Sequence, residues 1–184
     1  IINFYFKKYK IHKKIFTKKI NYAPITFLEG KIILFNKKNY VATISKSKLN
    51  FDFEESTSKV LLKGKFLNDD LYINLENKIN NKIVSSDVVL KMKNLNLLVK
   101  SKIKSISENS IINGNALIKK DKNKITTIFD YKNNELNIIK SNLRNTLLEG
   151  SLSGKVKIFP FFNFDLDLSL NSINFTKLYN YFLI

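Results

Sequence analysis

From Ile25 onward the chain alternates between apolar and polar residues, the period of a strand with one buried and one solvated face. The clearest run places Leu148, Gly150, Leu152, Gly154, Val156 and Ile158 on one side and Glu149, Ser151, Ser153, Lys155 and Lys157 on the other. A second run follows Pro160, with Phe164, Leu166, Leu168 and Leu170 opposite Asp165, Asp167, Ser169 and Asn171. Pro160 and Asn163 mark the turn between them. The two runs are expected to pair antiparallel with their leucines on the same side of one sheet.

Weaker copies precede them at 60–66, 71–75, 84–92, 95–99, 112–118 and 125–131. Short polar breaks at Asn68-Asp69-Asp70, Asn80-Asn81, Asp121-Lys122-Asn123 and Asn133-Asn134 suit hairpin turns. The pattern predicts an all-β fold, a long antiparallel meander of about ten strands with one polar and one apolar face. Near the end, Phe175, Leu178, Tyr179 and Phe182 follow helical spacing after Ser172 or Asn174 as a cap. A short C-terminal helix over one end of the sheet is expected.

The glycines modify this picture. Gly30, Gly64, Gly114, Gly150 and Gly154 all sit inside alternating runs, each in the order apolar, polar, Gly, polar, apolar. Glycine weakens a flat strand, so its placement on the apolar face points to curvature or close backbone approach. The meander is expected to curl about its apolar face into a taco-like groove. The gaps between these glycines are irregular, which excludes a propeller or solenoid of fixed period.

A chain of 184 residues suits one domain. It divides into a basic lead-in, 1–24, and a groove domain, 25–184. Because the chain starts at Ile1 and its sole methionine is Met92, it is expected to be part of a longer protein. At 44% hydrophobic it folds despite a formal net charge of +17. The longest stretch free of charged side chains is the ten residues 109–118, too short for a membrane-spanning helix.

The charge comes from 31 lysines and the single Arg144. Many lysines recur two residues apart, as at Lys46 and Lys48, Lys63 and Lys65, Lys100, Lys102 and Lys104, and so share one strand face. That is a solvated outer face, where lysine also discourages edge pairing. Base-edge recognition leans on bidentate arginine, and no nucleic-acid partner is expected. The segment Lys7–Lys19, with seven lysines and no acid, reads equally as a juxtamembrane stretch, an edge strand or a helix.

Catalytic chemistry is sparse. The absence of cysteine excludes thiolate metal sites and cysteine nucleophiles, and His12 as the only histidine excludes a multi-histidine metal site. Asp165 and Asp167 share a strand face, but no further ligand or base accompanies them. Glu54-Glu55 and Asp69-Asp70 read as turns. No phosphate-cradling glycine loop or serine elbow occurs. Neither enzymatic activity nor a cofactor or metal is expected.

The strand Thr146–Val156, the Pro160 turn, the strand Phe164–Leu170 and the closing Ile173–Phe182 segment together resemble the C-terminal region of bacterial AsmA-like proteins. The upstream Leu28–Ile32 and Leu62–Phe66 patterns look like the same family's repeat, so the resemblance spans 25–184. It implies a periplasmic β-groove in a Gram-negative-type envelope, tethered to the inner membrane through a segment outside this chain. The groove's apolar face would conduct phospholipid acyl chains in outer-membrane biogenesis. Leu148, Leu152, Val156, Ile158, Phe164, Leu166, Leu168 and Leu170 are the candidate lining, with Gly30, Gly64, Gly114, Gly150 and Gly154 as curvature sites. Without the resemblance, the same residues read as the ordinary core of a purely structural envelope β-module.

Overall fold

The computed structural model describes residues 4–6, 9–11, 22–36, 39–80, 83–106, 111–157 and 161–182. Two short strands, β1 (Phe4–Phe6) and β2 (Tyr9–Ile11), pair with each other. The rest is one meander. Strands β3 (Tyr22–Asn36), β4 (Asn39–Phe53), β5 (Thr57–Phe66), β6 (Asp69–Asn80) and β7 (Ile83–Met92) are followed by β8 (Leu97–Ile106), β9 (Ile112–Lys120) and β10 (Asn123–Lys132). The series closes with β11 (Glu135–Arg144), β12 (Leu148–Lys157), β13 (Asn163–Ile173) and helix α1 (Phe175–Phe182). Strands β3 to β13 form an 11-stranded antiparallel sheet in sequence order, with β3 and β13 as its edge strands among the described residues. The fold is thus all-β, curled and not closed into a barrel. It has 11 strands in the sheet where about ten were expected. Most of Lys7–Lys19, with His12, lies outside the described residues.

Two strands have no counterpart among the alternations, and both carry bulges. In β4 the register slips between Ser45 and Lys48, with Lys46 at φ 48°. In β11 it slips between Ile138 and Leu143. An inserted residue reverses the parity of everything after it, so Ile44 and Leu49, five positions apart, fall on one face. At the β11 bulge Ser141 is buried and replaces part of the ladder. Its hydroxyl donates to the Leu152 carbonyl at 2.6 Å and accepts from the Leu152 N–H at 2.6 Å.

The turns are largely those the polar breaks mark, with instructive differences. Asn133 and Asn134 form a two-residue hairpin loop with φ of 52° and 64°, a backbone that asparagine tolerates. The β5–β6 loop is instead Leu67-Asn68, at φ 50° and 65°. Asp69 is therefore not a turn residue. It begins β6, is buried, and its carboxylate accepts from the N–H groups of Asn94 (2.8 Å) and Leu95 (3.0 Å), tying the β7–β8 turn to β6. Leu95, expected in a strand, sits exposed in that turn.

Burial raises the Asp69 pKa, but the N–H donors of Asn94, Leu95 and Asp70 and the Lys65 charge outweigh it and hold the carboxyl below its ordinary value. A carboxylate depressed on folding contributes stability above its unfolded pKa, and that contribution is lost as pH falls through the folded value. The urea midpoint should therefore fall on acidification below about pH 4. Asp69→Asn should have a lower midpoint at neutral pH and a flatter acid limb. Parallel acid limbs for the two proteins would count against this role.

The core lies under β3 to β7, where Ile32, Ile44, Leu49, Phe51, Phe53, Val60, Leu62, Leu71 and Met92 are buried together. All belong to the apolar face, which becomes interior where the sheet curls about it. Phe27 meets Phe51 edge-on at 6.1 Å, and Phe51 stacks on Phe53 at 5.9 Å.

Helix α1 is capped as the spacing predicts. The Asn174 side-chain oxygen accepts from the Lys177 N–H at 3.0 Å. The helix does not cover the sheet end, contrary to expectation: Phe175 and Tyr179 stay exposed. At its start the Asn174 N–H donates to the Leu147 carbonyl in the β11–β12 turn at 2.7 Å.

Candidate functional site

Strands β12 and β13 pair so that the residues of their two apolar runs face one another directly. Leu152 is opposite Leu168, Val156 opposite Phe164, Gly154 opposite Leu166, Gly150 opposite Leu170, and Leu148 opposite Ile173. Directly opposed residues lie on the same face. Seven of the eight candidate lining residues thus share one side of the sheet, while Ile158 lies outside the described residues.

The face continues through the ladder. Val156 is opposite Leu136, Gly154 opposite Ile138, Ile138 opposite Phe129, and Leu143 opposite Ile125. Leu136, Ile138, Leu143 and Ile173 extend the candidate surface and were not singled out from the sequence. In β11 the bulge breaks the alternation, and in β13 a register slip beside Gly150 hides Ile173. From β5 to β13 the described apolar face carries charge only at strand ends, at Asp69 and Lys120.

Coverage changes along this face. Leu49 in β4 is 1% exposed, whereas Leu168 is 51% and Phe164 60% exposed. Between them, most of this face on β8 to β12 is half-buried, with Phe129, Ser141 and Gly150 buried. The apolar surface therefore passes from a packed core into an open face along its C-terminal edge, where Phe162 and Phe164 rings also touch at 5.8 Å.

All five glycines lie within strands: Gly30 in β3, Gly64 in β5, Gly114 in β9, Gly150 and Gly154 in β12. At Gly114 the reason is close approach. A Cβ there would meet Phe129 Cζ at 2.7 Å and the Lys102 carbonyl at 2.9 Å, so the ring of the opposing residue lies over the glycine. At Gly154 the backbone takes φ 122°, which side chains rarely adopt, and a Cβ would run into the Asp165 carbonyl of β13.

The outer face is polar and partly self-neutralised. Lys59 pairs with Glu76 at 2.9 Å directly across β5 and β6, and Lys155 reaches Glu135 at 3.5 Å. Glu76 is held below the usual carboxylate range by its Lys59 and Asn74 hydrogen bonds and the Lys59 charge. Asp165 lies opposite Lys155 and Asp167 opposite Ser153, so the two aspartates are separated into different cross-strand pairs on the solvated side. A hollow of about 720 Å³ opens on this face, lined by Lys46, Lys48, Lys63, Lys65, Lys91 and Lys93 beside Tyr72 and Leu98. The Lys91 ammonium stands 5.6 Å from the Tyr72 ring centroid.

Among the described residues no group of three or more acidic or histidine side chains is placed to hold a metal ion. No described helix is long and apolar enough to cross a membrane. What the fold defines is a single-layer, curled antiparallel meander with one open apolar edge. No family model matches this chain, and neither a curated protein nor a solved structure is similar to it.

Proposed function

We propose that this chain is a non-enzymatic β-groove segment of an AsmA-like envelope protein, holding phospholipid acyl chains against its apolar face on the periplasmic side of the inner membrane. The observation that carries the reading is the continuous face from β5 to β13, charged only at strand ends and left open at Phe164, Leu168 and Leu170. Contiguous exposed apolar surface marks a binding site, and acyl chains match a long face whose charges are confined to strand ends and whose other polar groups are scattered serine, threonine and asparagine side chains. The anchor to the membrane would lie in a segment outside this chain.

The test is lipid co-purification from membranes in mild detergent. Leu168→Asp should abolish it, because acyl contact is driven by area removed from water, about 25 cal/mol per Å², and an ionised carboxylate among the chains is penalised by desolvation. Leu168 is half exposed, so the substitution leaves the core intact, which circular dichroism checks. Lys155→Glu on the outer face should retain most of the lipid. A parent chain that carries no lipid, or a folded Leu168→Asp that carries as much as the parent, would leave a purely structural envelope module.

A further inference from the structure

We propose that one rim of the sheet, formed by the β5–β6, β7–β8, β9–β10 and β11–β12 turns, docks on an anionic phospholipid surface. On the outer face beside this rim, the register aligns Lys48, Lys63, Lys91, Lys119, Lys124 and Arg144 in a single row from β4 to β11. Lys48 is directly opposite Lys63, Lys119 opposite Lys124, and Lys124 opposite Arg144. The remaining two places are taken by Tyr72 and Leu98, and the first carboxylate is Glu149 at the far end, 2.6 Å from Arg144.

Like charges directly opposite one another destabilise a sheet. Two rows deeper on the same face both signs are present: Asp52, Lys59, Glu76, Asp87 and Lys102 follow one another, so each lysine there has a carboxylate directly opposite. The acids nearer the turns, Asp70 and Asp121, are paired with Lys65 and Lys120 at 2.9 Å each, so the lysines of the row from Lys48 to Lys124 keep their positive charge for an external polyanion.

The same rim carries exposed apolar tips. Leu67 is 80% exposed at φ 50°, a backbone that favours asparagine or glycine over a branched apolar side chain. Leu95 is exposed in the next turn. Helix α1, fastened to this rim through Leu147, presents Phe175 at 71% and Tyr179 at 66% exposure. Lysines attract anionic headgroups, while leucine and aromatic tips enter the boundary between headgroups and acyl chains. A single-stranded nucleic acid would call for successive stacking platforms, and the row holds one aromatic, Tyr72.

The experiment is co-sedimentation of the full chain with vesicles of phosphatidylcholine, with and without phosphatidylglycerol. Binding should require phosphatidylglycerol and weaken with salt. Lys91→Gln and Lys119→Gln should each weaken it about fivefold. Leu67→Asn should weaken it about tenfold, yet be at least as resistant to urea, since asparagine fits the turn better. Lys91→Gln and Leu67→Asn, outside the groove lining, should leave lipid co-purification in detergent unchanged, so rim docking and the groove fail or stand separately. Absence of vesicle binding, indifference to Leu67→Asn, or preferential capture of a single-stranded oligonucleotide would each overturn the proposal.

Discussion

Gly154→Ala should be among the most damaging single substitutions in this chain, costing about 3 kcal/mol. Two penalties coincide at this position. The φ of 122° lies where an L side chain is strained, and the added Cβ would collide with the Asp165 carbonyl on the neighbouring strand. The obstacle is backbone, so no side-chain rotation relieves it. Relief requires β13 to move away from β12, and among the described residues β13 is an edge strand paired only with β12. Hydrogen exchange should accordingly show β13 amides losing protection while those around Leu49 keep theirs. Gly114→Ala should cost less, because its nearest obstacle is the Phe129 ring, which can give way. A Gly154→Ala protein with the parent's urea midpoint and β13 protection would show that neither constraint operates.

Leu49→Ala should cost about 3 kcal/mol, while Leu168→Ala should cost less than about 1 kcal/mol. The two leucines occupy the same face of the same sheet. Leu49 is 1% exposed among Phe27, Phe51 and Leu62, so truncation removes buried area and leaves a cavity in a packed region. Leu168 is 51% exposed and already contacts water along much of its length. Paired urea titrations with unchanged m values would measure the contrast. Equal losses would mean that the apolar face is uniformly packed, and the open edge on which the proposed function depends would have to be abandoned. The contrast also explains how one continuous face can serve as core at one end and as binding surface at the other.

Much of the architecture was legible because period two is a local property. Leu152 and Val156 had to share a side of their strand, as did Phe164 and Leu168, whatever the rest of the chain did. The Pro160 break then implied that these two sets would meet, and the observed register joins them residue for residue. Asn133-Asn134 and the Asn174 cap were legible for a similar reason, since each side chain acts within a few residues of its own backbone.

What escaped the sequence depended on distant neighbours. Strands β4 and β11 were hidden because each contains a bulge, which shifts the alternation by one and cancels it over the whole strand. Asp69 looked like a turn residue beside Asp70, and only the approach of Asn94 and Leu95, some 25 positions away, makes it a buried anchor. The row of cations from Lys48 to Arg144 is scattered over about 100 positions and exists only once the pairing register is set. The sequence by itself determined the fold class, the orientation of each regular strand and the apolar character of one face, because these follow from alternation within a few residues. Tertiary structure alone decided where that face is covered and where it stays open, since burial depends on how far the whole sheet curls and which distant strand reaches over it.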